Sequence, residues 1–430
     1  MDLKDRIAAE LDESRGRSLA LLAPLDEADL RQQHSPLMSP LVWDLAHVGN
    51  YEDQWLLRAL GQPGVGAELD DVYDAFSHPR RDRPSLPMLG PDEARAYLEE
   101  VRARVLEHLQ ATRLDDDDPL LGRGFVYGMV VQHEHQHDET MLATLNLMAA
   151  PGYRPDASPA PAAPTTVTTA EVFVAGGLFE MGTSTEPWAY DNERPAHEVD
   201  VPPYWIDTGP VTNADYITFV DAGGYDDPRC WTADGWKWRQ EAGLEHPQFW
   251  RREGAGHWAR TRFGWNEPLP DGEPVQHVCW YEADAYARWA GKRLPTEAEW
   301  EKAASWDPVT SRKRRYPWGD DEPDARTANL GQRHFGPGAV GSYPAGASAY
   351  GCVQMVGDVW EWTASDFTPY PGFVAHPYKE YSDVFYGSEY KVLRGGSWAT
   401  HPTAIRTTFR NWDYPIRRQI FSGLRCARDA

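Results

Sequence analysis

Residues 124–150, GFVYGMVVQHEHQHDETMLATLNLMAA, decide how the first half of the chain folds. Apolar residues recur at spacings of three and four along this run, the period of a helix that buries a broad face. Its middle holds His133, His135 and His137. A helix carries positions four apart to one face about a turn apart, so His133 and His137 can meet a single ion. His135 reads as a surface or satisfied core histidine. The run also satisfies H-E-x-x-H, in which Glu134 would be the general base of a zinc protease. That reading competes directly, although the segment continues with Asp138 and Glu139 and shows no downstream ligand helix.

Working outward, three further runs share the helical period: LKDRIAAELDESRGRSLALL (3–22), PLVWDLAHVGNYEDQWLLRAL (40–60) and PDEARAYLEEVRARVLEHLQ (91–110). Four such segments predict a four-helix bundle over residues 1–150. In the second, Ser39 is placed to cap and Pro40 to occupy the first helical position, where its missing N–H costs nothing. The same segment carries His47. Three imidazoles on two bundle helices, His47, His133 and His137, would form one face of a coordination sphere and leave the opposite face open. Imidazole suits iron, zinc, copper or nickel, so the donor set does not choose the metal. Residues 61–90 form a long loop with several prolines, and long loops in compact domains are often functional. The acidic run 115–118 reads as a solvated connection.

Residues 151–169 are rich in Pro and Ala, have little to bury, and read as an extended linker. From 170 to 430 the helical period gives way to short runs such as EVFVAGGLFEMG, HEVDVPPYWI and EYKVLRGGSW, with brief helices at NADYITFVDAG, EADAYARWAG and EAEWEKAASW. That mixture predicts an irregular α+β domain with much loop. The whole is therefore a multidomain α and α+β protein, and 430 residues are enough for two sizeable cores.

The formal net charge of -24 argues against surfaces that follow nucleic-acid phosphates or anionic lipid. No apolar run approaches the length of a membrane span, and the first residues lack the apolar centre of a signal peptide. Cys230, Cys279, Cys352 and Cys426 are far apart, without the spacing of a zinc ribbon or a disulfide framework, which predicts reduced, mostly buried thiols and a cytoplasmic location. Aromatics are abundant, with 19 Trp and 20 Tyr; such richness builds a loop-rich core and, in some proteins, a cage for a cation.

His47 in WDLAH, with His133, His137 and Glu139 in HEHQHDE, resembles the DinB-like domain of the sulfoxide synthases of the ergothioneine pathway. The runs GGLFEMG, NERPAHEVDV, KRLPTEAEWEKA, GDVWEWTASDF, LRGGSW and RNWDYPIRRQIFSGLRCARD resemble their partner domain, a C-type-lectin-like fold shared with formylglycine-generating, sulfatase-modifying enzymes. One departure excludes a rival chemistry. The formylglycine-generating oxidases carry a cysteine pair after the RGGSW-type motif, whereas here Trp398 is followed by ATHPTAIRTTFRNW.

The resemblance implies a non-haem Fe(2+) enzyme that uses O2 to join a thiol sulfur to the imidazole carbon of hercynine (Nα-trimethylhistidine), with oxidation of the sulfur to a sulfoxide. By the same resemblance the metal ligands are His47, His133 and His137, and Tyr378 is the catalytic proton donor. Arg80, Arg83 and Asp413 match residues that bind γ-glutamylcysteine, which favours that donor over free cysteine. Gln136, Tyr381, Asn411 and Trp412 match the hercynine pocket, and Glu139 is implied to support a ligand histidine or the bundle. Small-molecule substrates, no nucleic-acid or membrane partner, and a monomer are the corresponding expectations. Two other readings compete: a zinc-dependent DinB-type thiol transferase, and a lectin-like binding module attached to a metal-stabilised bundle.

Overall fold

A computed structural model of the chain describes residues 2–114, 117–148, 153, 158, 160–161, 170–254 and 256–430. The acidic run at 115–118 is described only in part, and nearly all of the expected linker, 151–169, lies outside the described residues. The chain divides into two compact units, one formed by Met1–Tyr153 with Thr185–Trp188, the other by Arg154–Ser184 with Ala189–Ala430.

Four long helices build the first unit: α1 (Leu3–Leu22), α2 (Leu41–Glu52), α3 (Pro91–Ala111) and α4 (Phe125–Leu147). α1 packs on α4, and α2 on both α3 and α4. Every residue of α2 is buried, and α4 is buried around most of its circumference, so these two form the interior of the bundle. Gly128 lets α4 approach Trp188, because a Cβ there would lie 2.2 Å from the indole.

Two features of α2 differ from the sequence reading. Pro40 is the residue before the first turn, with no side-chain cap, and the Ser39 hydroxyl instead accepts a hydrogen bond from Arg83 Nη1 at 2.6 Å. The helix begins one residue later than expected, so Ser39 stands before the cap position and its hydroxyl serves the loop arginine. The helix also does not run on regularly to Leu60: it widens into a π turn at Asp53–Leu57, then tightens before Gly61 in the left-handed region at φ 77°. Arg58 and the backbone N–H of Val65, reaching Asp53 at 3.2 and 2.9 Å, hold that irregular end. The loop that follows is folded into short turns, with a helical turn at Asp70–Tyr73 and a 3-10 segment at Arg80–Ser85.

Inside the bundle a closed charge cluster joins all four helices. Arg15 of α1 reaches Glu52 Oε2 at 2.6 Å and Glu134 Oε1 at 2.8 Å, and Arg102 of α3 reaches Glu52 Oε1 at 2.7 Å and Glu134 Oε2 at 3.4 Å. Ser14 and Ser18 add hydroxyl donors to Glu134. Burial alone would raise the Glu134 carboxyl, but the two guanidiniums outweigh it and hold it at about 2.

The second unit is loop-rich and built on small sheets. β1 (Glu171–Val174), β2 (Tyr204–Asp207) and, from the chain end, Ala427–Asp429 form an antiparallel sheet with Tyr204–Asp207 in the centre. A second sheet pairs β3 (Trp360–Phe367) with β4 (Gly387–Arg394), adds β5 (Asn411–Asp413) antiparallel on one edge and Ser422–Gly423 parallel on the other. The core between helix Glu297–Ser305 and these strands contains Phe179, Tyr204, Ile206, Trp300 and Met355. Buried arginines stitch the loops: Arg394 and Arg410 converge on Glu297, Arg406 binds Glu193, and Arg425 binds Glu361. The four cysteines are buried and free. Among the described residues no helix is long and apolar enough to cross a membrane.

The bundle's charge cluster makes a direct prediction. Glu134→Gln leaves Arg15 and Arg102 short of one buried carboxylate and is expected to lower stability by about 3–5 kcal/mol at pH 7. Because the folded Glu134 is depressed below its ordinary 4.5, its contribution is present above that value and is lost as pH falls through about 2. Urea unfolding of both proteins between pH 7 and pH 3 checks this: the two midpoints converge as pH falls.

Candidate metal centre and its surroundings

Helix α2 supplies His47, and α4 supplies His133 and His137 one turn apart. The structure brings the three together, each offering a ring nitrogen within 4.8 Å of the others. The ring centroids lie 5.1 Å apart for His47 and His133, 4.7 Å for His47 and His137, and 4.6 Å for His133 and His137. Two of the imidazoles are oriented from behind. His47 Nδ1 lies 2.8 Å from the Tyr73 carbonyl, and His137 Nδ1 lies 3.2 Å from Asp44 Oδ1. A carbonyl or carboxylate oxygen can only accept, so Nδ1 carries the proton in both rings and each Nε2 keeps a lone pair for a metal. His133 is stacked on Tyr51 at 3.8 Å, and its Nδ1 is buried without a hydrogen-bond partner among the described residues.

Burial, and next the neighbouring imidazoles, hold His47 and His133 well below the ordinary histidine pKa. Both rings are therefore neutral at pH 7, the form that binds metal. Three converging imidazoles, with Nδ1 of His47 and of His137 engaged on the side away from the others, fit one divalent transition-metal ion.

The other reading of the HEHQH run fails on geometry. Glu134 points into the Arg15–Arg102 cluster described above, and a carboxylate held at about 2 by two guanidiniums is not available as a general base. His135 is likewise buried away from the other two histidines, 3.3 Å from Asp138 Oδ2.

Asp44 is the residue that sequence reasoning passed over. It lies three positions before His47, so it faces the same side of α2, and it is 1 % exposed. An acid one turn before His47, in the otherwise apolar stretch that precedes it, was the available signal. Its carboxylate stands directly behind His137, while Glu139, for which the resemblance implied support of a ligand histidine or of the bundle, lies half-buried two residues beyond His137.

Arg83 differs from expectation in its surroundings. It is buried, and its nitrogens already donate to Ser39 Oγ at 2.6 Å, the His78 carbonyl at 3.1 Å and the Ala75 carbonyl at 3.2 Å. The guanidinium lies 3.6 Å from the Trp43 ring centroid, and Trp43 stacks on His47 at 4.7 Å and 13°. Burial lowers its pKa to about 10, so it stays charged at neutral pH and two of its five N–H groups remain for a ligand. Arg80, half-buried, makes one long bond of 3.4 Å to the Leu37 carbonyl. Gln136 is half-buried on α4 beside His137.

The remaining candidates belong to the second unit. Tyr378 meets Tyr381 edge-on at 6.2 Å; Tyr381 stacks on Tyr190 at 4.2 Å and meets the edge of Trp412 at 5.8 Å; Trp412 stacks on Phe367 at 4.1 Å. Asn411 and Asp413 flank Trp412 on the edge strand β5. Asp413 Oδ2 lies 3.2 Å from Arg417 Nε, so its charge is partly balanced within the unit. Tyr378, Tyr381, Trp412, Asn411 and Asp413 thus form one neighbourhood of rings and a carboxylate. An aromatic wall beside an acid suits a quaternary or primary ammonium group.

Two family models divide the chain: the DinB superfamily matches residues 10–141, and the sulfatase-modifying factor enzyme 1-like domain matches residues 156–430. The hercynine oxygenase of Mycolicibacterium smegmatis is 52% identical over 100% of both chains. That of Mycobacterium tuberculosis is 51% identical, again over 100% of both. Among solved structures, PvdO from Pseudomonas aeruginosa is 25% identical, covering 60% of this chain and 94% of its own, at a TM-score of 0.42.

Removing the carboxylate behind His137 tests the centre. Asp44→Asn is expected to weaken metal binding about 10–100-fold, as loss of a supporting hydrogen bond to a ligand histidine does elsewhere. Competition against a chromophoric chelator measures it, and an unchanged affinity would take Asp44 out of the site.

Proposed function

Because the chain belongs to the hercynine oxygenase family, we propose that it is a non-haem Fe(II) enzyme joining γ-glutamylcysteine to hercynine with O2. The net change removes the thiol hydrogen and one imidazole C–H, forms a C–S bond, places one oxygen atom on sulfur and releases the other as water. The two substrates together supply four electrons, which balances the reduction of O2. The observation that carries this reading is the convergence of three imidazoles, with the outer nitrogens of His47 and His137 tied to Tyr73 and Asp44. Three protein ligands leave an iron ion free to take further ligands, and Fe(II) bound there would supply O2 activation and a common template for both substrates.

The chain's own residues do the rest. His47, His133 and His137 would hold the ion, and the contacts behind His47 and His137 keep those two rings oriented. Arg80 and the two spare N–H groups of Arg83 are suited to the carboxylates of γ-glutamylcysteine, a guanidinium being a rigid donor fork. Asp413 offers an anion to the peptide's ammonium group. Trp412 and Tyr381 offer ring faces to the trimethylammonium of hercynine, which has no N–H to donate, while Asn411 and Gln136 add amide oxygens. Tyr378, half-buried at the end of this aromatic group, is a neutral phenol at pH 7 and would deliver a proton to oxygen as it is reduced.

The test is anaerobic loading with Fe(II), then hercynine, γ-glutamylcysteine and air, following oxygen and product mass together. One O2 is expected per product, whose mass equals both substrates less two hydrogens plus one oxygen. Turnover with bound zinc and without oxygen uptake would instead establish thiol transfer.

Donor choice is tested separately. Asp413→Asn removes a charge-assisted contact of about 1.5–3 kcal/mol and is expected to raise KM for γ-glutamylcysteine about 10–100-fold, with KM for hercynine nearly unchanged. Equal effects on both would overturn the assignment of Asp413.

A further inference from the structure

Tyr378 lies on an irregular segment of the second unit, residues 376–382, whose short 3-10 turn at Lys379–Tyr381 has too few backbone bonds of its own to hold a side chain still. One carboxylate grips both ends of that segment. Asp191 Oδ2 accepts from the backbone N–H of His376 at 3.2 Å, and Asp191 Oδ1 accepts from the Ser382 hydroxyl. Ser382, fully buried, in turn accepts from Asn192 Nδ2 at 3.0 Å. Between the two grips, the Tyr381 ring lies flat on Tyr190, the residue before Asp191.

The base of this grip belongs to the rigid part of the unit. Residues 190–193 form a tight turn in which Glu193, fully buried, bonds the Tyr190 N–H at 2.9 Å, Arg406 Nε at 2.8 Å and Thr408 Oγ1 at 2.7 Å. Arg410 donates to the Asn192 carbonyl at 2.9 Å and is itself anchored on Glu297. Asp191 is 2 % exposed and makes no ion pair among the described residues. An anion buried without a counter-ion is costly, and burial pushes its carboxyl up to about 6. A neutral asparagine would avoid that cost but would offer one acceptor oxygen where the His376 N–H and the Ser382 hydroxyl each need one, so the carboxylate is the side chain that can grip both ends.

We propose that Asp191 and Ser382 are positioning residues: a clasp that fixes residues 376–382 against the 190–193 turn and thereby sets where the Tyr378 hydroxyl is held. The proposal rests on the reading of Tyr378 as proton donor for what the clasp achieves, but not for whether it exists. Loosening it lets the phenol wander while leaving metal and substrates bound. The reaction then loses the proton at the right moment and falls back on oxidation of the thiol alone, with both oxygen atoms of O2 added to γ-glutamylcysteine as a sulfinic acid.

Two readouts on the full-length, iron-loaded enzyme test this in Ser382→Ala, Asp191→Asn, Tyr378→Phe and Ser382→Ala/Tyr378→Phe. Hydrogen exchange of a peptide spanning 376–386 is expected to rise about tenfold in Asp191→Asn, the loss of one buried hydrogen bond, and by at least as much in Ser382→Ala, which loses two, with the β3–β4 pair unchanged. The ratio of sulfoxide to sulfinic acid is expected to fall in Ser382→Ala toward that of Tyr378→Phe, and the double variant to match Tyr378→Phe alone. Unchanged exchange in Ser382→Ala overturns the clasp outright. Raised exchange with an unchanged product ratio, where Tyr378→Phe does shift it, overturns the positioning role. If Tyr378→Phe leaves the product ratio unchanged, the proton-donor reading fails and with it the clasp's positioning of a donor. Exchange then still decides whether the clasp itself exists.

Discussion

Two carboxylates, Glu52 and Glu134, share two guanidiniums, Arg15 and Arg102, in the interior of the helical unit, and the bundle depends on that closed cluster. Each charge has been taken out of water, so each is tolerable only while its partners stay in place. The four residues come one from each helix, so none of the helices can slide or rotate without exposing an unpaired charge to a low-dielectric interior. A purely apolar bundle of this size could repack by small shifts. This one has a fixed registry, and α2 and α4, whose relative position decides whether three imidazoles converge, are two of its members.

The same helix serves both ends of this arrangement. On α4, adjacent residues His133 and Glu134 point to different sides: the histidine joins the imidazole trio, and the acid locks the helix to α1 and α3. Asp44 and the Tyr73 carbonyl then set two of the rings, while Trp43 and Tyr51 press on the faces of His47 and His133. The result is a trio in which two rings have their Nδ1 protons placed and two have their faces packed, an arrangement that would need little reorganisation to take a metal ion.

The second unit solves a different problem. A domain with so much loop has few regular backbone ladders, and it substitutes buried arginine–carboxylate pairs at Glu193, Glu297, Glu301 and Glu361. These hold short strands and turns at defined places. The aromatic neighbourhood of Tyr378, Tyr381 and Trp412 is mounted on that frame through the 190–193 turn and the edge strand β5.

Much of this was legible in the sequence. Helical periodicity located the four helices of the bundle, the spacing of His133 and His137 put them on one face, and their motifs with those of the later half matched the family that full-length relatives share. What periodicity could not supply was partnership at long separation. Whether Glu134 is a catalytic base or a structural anion depends on Arg15 and Arg102, distant in the chain. That the Ser39 hydroxyl serves Arg83 and caps no helix follows from where the loop folds back on the helix start. Asp44 supports a histidine in another helix, and Asp191 grips a segment almost two hundred residues away. Local pattern records which face of an element is apolar, because that follows from the geometry of one helix or strand. The partner of a buried polar group is chosen by how elements pack, and only the tertiary structure decided that.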